Sequence, residues 1–295
     1  MINVYEQVSA NKARSFVIIG AFIAFIIATA YLITYAFNLG DSFLIYAVIF
    51  SFISSSVSFF WGDQIVLSLN QARPATRQEF FDFYTVTENL AMADSLPLPK
   101  LYVIDSDAPN AFATGRDPKH AVVCATTGLL NKLNRSELEG VIAHELSHVK
   151  NYDIRLMMIV SVLVGSLSIL INIASRSFFW GRGNDREERS NGGIFAIAGI
   201  ILIIFAPIIA QLIQLAISRR REYLADASGV MLTRQPQGLI DALKKIASDK
   251  EPLKTASTAT ASLYIANPFK GNKMASLFST HPPIEDRIKT LEAML

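Results

Sequence analysis

The chain has 295 residues, of which 51% are hydrophobic and only 18% charged, and its mean hydropathy is +0.34. That balance is too apolar for an ordinary soluble domain. A formal net charge of +2 makes no case for a nucleic-acid partner, and the single cysteine, Cys124, excludes both an intrachain disulfide and a cysteine-built zinc cage.

The first fourteen residues are polar and mildly basic, with Lys12 and Arg14 set just before a hydrophobic wall. Ser15 to Phe37 is an uncharged run of 23 residues, enough to cross a bilayer as a helix. As the core of a cleaved signal peptide it is too long, and a second run follows at once, so it reads as a retained span. Across the turn Asn38-Leu39-Gly40-Asp41 comes Ser42 to Gly62, a second uncharged run of 21 residues. Residues 1–62 therefore form an N-terminal segment and a membrane hairpin, with spans at about 15–37 and 42–62. The serines of the second run bond back to their own helix or to a neighbour, as structural glue.

From residue 63 to 154 charges, Pro and Asn return, marking a part in water or at its edge. Helical spacing of Phe80, Phe83, Tyr84 and Leu90 predicts a helix over 76–95, opened by Thr76 with Glu79 three positions on. Leu101-Tyr102-Val103-Ile104 and Ala121-Val122-Val123-Cys124-Ala125 read as short strands, with Cys124 packed as a small apolar residue. Between them Asp107 to Gly115 is a loop or irregular strand. The edge of such a sheet is one on which an extended chain can pair; an ordinary small sheet is the equal alternative.

The segment then reaches Val141-Ile142-Ala143-His144-Glu145-Leu146-Ser147-His148, an H-E-x-x-H pattern. On a helix, positions i and i+4 share a face, so the imidazoles of His144 and His148 converge on one cation. Glu145 sits one step round, placed to reach a metal-bound water as general base. The segment Ser136-Glu137-Leu138-Glu139 reads as a capping-box start, and Leu138, Val141, Ile142 and Leu146 give the helix an apolar stripe to pack with. Two histidines leave zinc short of a third protein ligand.

Residues 155–218 read as a second membrane hairpin. Its spans are about 156–175 and 194–217, joined by a charged, Gly-rich connector and kinked at Pro207. Residues 219–295 complete the peptidase part. They begin with Arg219-Arg220-Arg221-Glu222-Tyr223-Leu224-Ala225-Asp226, whose arginines can snorkel to head groups. Glu222 and Asp226 lie one helical turn apart. That suits a zinc-binding carboxylate, Glu222, beside an acid, Asp226, that orients a zinc-bound imidazole. With spans three and four antiparallel, the end that carries the histidines meets the end that carries Glu222. Leu239, Ile240, Leu243 and Ile246 mark an amphipathic helix over 237–250. The Thr-, Ser- and Ala-rich stretch 251–275 reads as mobile and partly exposed, a plausible target of self-cleavage. His281, fixed by Pro282 and Pro283 ahead of a helix over 284–294, is placed to steady an oxyanion; His120 reads as a surface residue.

Taken together, these motifs resemble the HtpX family of membrane zinc metallopeptidases, relatives of the CAAX prenyl proteases, over essentially the whole chain. The resemblance implies a mostly α membrane protein. Four transmembrane helices would carry an α+β zincin-like peptidase domain with a small β-sheet. It implies one Zn2+ on His144, His148 and Glu222, Glu145 as base and His281 near the substrate. From the resemblance alone, Asn110 contacts substrate backbone and Arg287 supports the site as a substrate-binding residue. The partners it implies are polypeptides, chiefly misfolded or damaged membrane proteins, and the lipid bilayer. Basic residues at 12, 14 and 219–221 place both termini and the active site on the cytoplasmic side of the cell inner membrane. A prenyl-protein-processing peptidase and an inactive membrane scaffold are the alternative readings. A transporter would need ionisable residues within the spans, which have none.

Overall fold

A computed structural model describes residues 4–37, 41–180, 219–257, 259–269 and 282–295. Two long helices open the chain, α1 (Val4–Phe37) and α2 (Asp41–Leu69). Both contain windows long and apolar enough to cross a membrane, Val8–Ala28 and Leu44–Leu69. The outer side of α2 shows Ile45, Tyr46, Ile49, Phe50, Phe52 and Ile53, a face that suits lipid rather than water.

The third apolar run lies inside α6 (Asp153–Trp180). The first part of α6 is buried: Leu156, Met158, Ile159, Leu163 and Val164 pack with Ile18, Phe22 and Ile26 of α1. At Gly62 of α2 an added Cβ would stand 3.0 Å from Met158 Sδ, so a small residue lets these helices touch. The three helices thus make a bundle with its own apolar seam. The fourth run, 194–217, lies outside the described residues.

Below the bundle sits a four-stranded sheet of order β1-β2-β4-β3, made of β1 (Arg73–Pro74), β2 (Lys100–Ile104), β3 (Ala111–Thr114) and β4 (Val122–Thr126). β2 and β4 run parallel, while β1 and β3 flank them antiparallel. β4 is buried along its length, Cys124 included, and reads as a continuous apolar run for that reason. β3, expected only as a loop or irregular strand, is an edge strand of the sheet.

Helices α3 (Phe81–Ala93), α4 (Thr127–Lys132), α5 (Arg135–Lys150), α7 (Arg219–Thr233), α8 (Pro236–Ser248) and α9 (Ile284–Glu292) complete the described chain. α5 is the central one, packed among α3, α7, α8 and β3. Its core residues Leu138, Val141, Ile142, Leu146 and Val149 join Leu239, Ile240, Leu243 and Ile246 of α8 in one cluster. Each such side chain contributes about 1.5–3 kcal/mol by leaving water.

Three local expectations change. The cap of α5 is Asn134, not Ser136: Asn134 Oδ1 accepts from Glu137 N at 3.0 Å, and Glu137 Oε2 accepts from Asn134 N at 2.7 Å. The box closes two residues earlier because Asn134 takes the extended backbone a cap needs, while Ser136 bonds to Gln235. α3 starts at Phe81, because Thr76 and Glu79 close a turn before the helix. The stretch 251–275, expected to be mobile and partly exposed, is exposed at Glu251, Pro252 and Lys254 but buried at Leu253 and over residues 259–266. Tyr264 donates to Asn70 Oδ1 at 2.9 Å and packs edge-on against Phe112, which ties this stretch to α2 and β3.

Candidate metal centre

The capped, fully packed α5 presents His144 and His148 on one face, both buried, with ring centroids 4.8 Å apart and planes at 89°. Their Nε2 atoms face each other at 3.2 Å. α7 crosses α5 and brings Glu222 up to them. One carboxylate oxygen lies 3.7 Å from His144 Nε2 and the other 3.6 Å from His148 Nε2. Close crossing needs a small residue in α7, and Gly229 supplies it: a Cβ there would lie 3.1 Å from the backbone nitrogen of His144.

Each imidazole is held from behind. His144 Nδ1 lies 2.9 Å from Asp226 Oδ1, and His148 Nδ1 lies 3.1 Å from Asp153 Oδ2. A carboxylate on Nδ1 keeps the proton there and turns the Nε2 lone pair into the site. The donor chemistry therefore fits a divalent metal: two imidazole nitrogens and a carboxylate oxygen, all within 4.8 Å of one another. Tetrahedral zinc, with bonds of about 2.0–2.2 Å, sets its donors roughly 3.3–3.6 Å apart. His144, His148 and Glu222 stand near that spacing already.

The electrostatics follow from burial and neighbours. Burial raises Glu145 to about 7; Glu222 adds to this, while His148, Arg287 and the Ala113 backbone N–H that donates to the carboxylate oppose it. Burial and Arg287 push His144 down to about 4, against the pull of Asp226. Burial alone would lower His148 too, but the hydrogen bond to Asp153 and the charges of Glu222, Asp153 and Glu145 raise it to about 9. Asp226 falls to about 2, because Arg287 and His144 outweigh its burial.

Arg287 and Asn110, expected at the substrate, are both held by the chain's own residues. Arg287 is wholly buried, donating to both oxygens of Asp226 at 2.8 and 2.6 Å and to Ile265 O at 3.1 Å. Its Nη2 also lies 3.3 Å from His144 Nδ1, so the guanidinium braces Asp226 and His144 together. Asn110 is also buried. Its Nδ2 donates to Ala266 O at 2.9 Å, and its Oδ1 accepts from Ala111 N and Ala266 N at 3.1 and 3.3 Å. Ile265 N donates to Ala111 O at 2.9 Å. The outer edge of β3 at Asn110–Ala111 is thus paired with the chain's own residues 265–266, where an extended substrate was expected. His281 lies outside the described residues.

Sequence reasoning missed Asp153 and the groups around it. Asp153 Oδ1 accepts from Asn11 Nδ2 at 2.7 Å and from Arg221 Nη1 at 3.3 Å. Asn11 also donates to Asn151 O at 2.9 Å. Arg221, expected at the head groups with its neighbours, is buried, while Arg219 and Arg220 are exposed. An available signal was the acid five residues past His148, at the foot of an apolar run, fit for the imidazole-orienting role that was given to Asp226 alone.

The model of peptidase family M48 matches residues 78–295. A protein described as a protease HtpX homolog from Dictyoglomus thermophilum is 45% identical over 290 residues, covering 98% of this chain and 94% of that one. Another so described, from Ligilactobacillus salivarius, is 44% identical over 295 residues, with 98% and 99% covered. The crystal structure of S. mikatae Ste24p shares the fold, with a TM-score of 0.51 at 21% identity, covering 98% of this chain and 67% of that one. The chain belongs to peptidase family M48 and is an HtpX-type metalloprotease.

Proposed function

We propose that the protein is an integral membrane zinc endopeptidase that hydrolyses misfolded or damaged membrane proteins, with Glu145 as general base. The observation that carries this reading is the convergence of His144, His148 and Glu222 with Glu145 buried beside them. When bound, zinc lowers the pKa of a coordinated water toward neutrality and polarises a carbonyl. Glu145, raised to about 7, takes a proton from the attacking water and hands it to the leaving amine. The Ala113 N–H orients its carboxylate, and Asp226 and Asp153 hold the two imidazoles in the ligating tautomer. His281 steadies the oxyanion as the tetrahedral centre forms.

Four spans, with the termini and the site on the cytoplasmic side of the inner membrane, complete the reading. The basic residues beside the apolar runs and the lipid-suited face of α2 support it. The site lies directly under the bundle, since Asn11 of α1 reaches Asp153, and this favours substrates that arrive from the membrane. The test is cleavage in proteoliposomes of a destabilised membrane protein and of its stable parent. The expected result is faster loss of the destabilised protein, abolished in Glu145→Gln. Equal rates for both, or cleavage of soluble proteins only, would remove the quality-control reading.

A further inference from the structure

Away from the metal centre, a second concave site lies where α2 leaves its apolar stretch. It has a volume of 310 Å³ and is lined by Phe60, Trp61, Asp63 and Gln64 of α2, Lys100 at the start of β2, and Arg116 and His120 from the turn between β3 and β4. We propose that this cleft binds the headgroup of a membrane phospholipid that carries both a phosphate and a primary ammonium, a phosphoethanolamine head. The proposal rests on α2 being a membrane span.

Position is the first argument. Cations lie over aromatic rings around this end of the bundle. Lys12 is 4.2 Å from the Tyr152 ring, Arg155 is 5.0 Å from Tyr152 and 5.5 Å from Phe59, and Arg116 is 5.6 Å from Phe60. Phe16 of α1 stacks on Phe59 of α2 at 6.4 Å. Aromatic residues with snorkelling cations gather at the level of lipid head groups. Phe60 and Trp61 are half exposed there, and Asp63 is the first charge after the apolar run of α2. The cleft therefore opens at head-group depth.

Charge is the second argument. Lys100 and Arg116 are fixed cations, and Asp63 is a fixed anion in the same lining. Asp117 backs the cleft, 2.8 Å from His120 Nδ1 and 3.7 Å from Arg116 Nε. A ligand of negative charge alone would meet Asp63 as well as the cations, with Asp117 behind the lining. A head with both charges finds a partner for each: phosphate on Lys100 and Arg116, ammonium on Asp63 and the faces of the aromatic rings. Asp63 and the Gln64 amide accept hydrogen bonds, which an ammonium with three N–H groups uses and a trimethylammonium does not. Arg116 is held in place, 2.9 Å from His120 Nε2 and 3.5 Å from Phe60 O. Binding therefore orders little that is not ordered already.

The test uses the full chain as its Glu145→Gln variant, so that it does not digest itself. Native mass spectrometry from detergent would compare retention of phosphatidylethanolamine, phosphatidylcholine and phosphatidylglycerol with identical acyl chains. The expected result is roughly tenfold stronger retention of phosphatidylethanolamine, lost in Trp61→Leu/Lys100→Gln. The near-isosteric Asp63→Asn should shift the preference toward phosphatidylglycerol, and it keeps the test valid if the double variant fails to fold. Equal retention of the three lipids, or an unchanged preference in Asp63→Asn, would overturn the site. Soluble phosphoethanolamine that displaces the lipid at equal concentration would overturn its assignment to a membrane lipid. A chain that stays monodisperse without detergent would instead overturn the membrane span beneath the proposal.

Discussion

At the scale of single residues, the centre consists of ligands whose protonation is set by what lies behind them. His148 is raised to about 9 in the metal-free protein, so at neutral pH it carries a proton that an incoming metal must displace. Zinc binding is expected to release protons at pH 7, and affinity should climb by about tenfold per pH unit at most until His148 is neutral near 9. Calorimetry in buffers of different ionisation enthalpy counts these protons; binding with none released would contradict the assignment. The sign for stability is the reverse. A value raised above the ordinary 6.5 makes His148 stabilise the metal-free fold below 6.5, and that contribution fades as the pH rises toward 9.

Asp153 carries a prediction of its own. Asp153→Asn leaves shape nearly unchanged but removes the charge that fixes His148, so metal affinity should fall by about 10–100-fold. Competition with a chromophoric chelator measures this, and an unchanged affinity would deny Asp153 its role. The metal-binding pattern was legible in sequence because i, i+4 spacing is a local property of one helix. Glu222 was legible from the demand for a third ligand, its spacing to Asp226 and the antiparallel spans, none of which is a pattern as local as the histidine pair. The partners of Asn110 and Arg287, Ala266 and Asp226, were not legible, because they are contacts between distant segments that no spacing encodes.

At the scale of elements, two close approaches hold the peptidase part together. Gly140 of α5 lies against α8, where an added Cβ would stand 2.6 Å from the backbone nitrogen of Leu239. Backbone cannot swing aside as a side chain can, so Gly140→Ala should destabilise the protein by about 1–3 kcal/mol. Denaturant unfolding in detergent, followed by far-ultraviolet circular dichroism, would read the shift. Asn110 bridges β3 to residues 265–266, and Asn110→Ala would leave buried Ala266 N–H and C=O groups unmet. A loss of about 2–4 kcal/mol is expected. A variant of unchanged stability that lost only substrate affinity would instead support the substrate-contact role. The strands of β2 and β4 and helix α8 announced themselves by composition and period. β3 did not, since its four residues include two alanines of little strand signal, Ala111 and Ala113, and are extended through pairing with β4.

At the scale of the whole molecule, the membrane bundle and the metal centre share a hydrogen bond. Asn11 near the start of α1 donates to Asp153, which orients His148, so the helix pack and the ligand set are mechanically continuous. Asn11→Leu should weaken metal binding, though less than Asp153→Asn, because the carboxylate keeps Arg221 as a partner. The same chelator competition checks this ranking; equal affinity in Asn11→Leu and the parent would separate bundle from site. Long uncharged runs made the first hairpin legible. Where α1 touches the catalytic part was not legible, because a single asparagine before an apolar run carries no periodic signal.

Every role proposed for the site depends on His144, His148 and Glu222 holding zinc while Glu145 moves the proton. This assignment is tested most directly by measuring zinc content and cleavage of an unfolded protein together, in detergent, for the parent chain, Glu145→Gln and Glu222→Ala. The prediction is stoichiometric zinc in the parent and in Glu145→Gln, cleavage by the parent alone, and weakened zinc in Glu222→Ala. A parent that binds no zinc, or a Glu145→Gln chain that cleaves as fast as the parent, would contradict it.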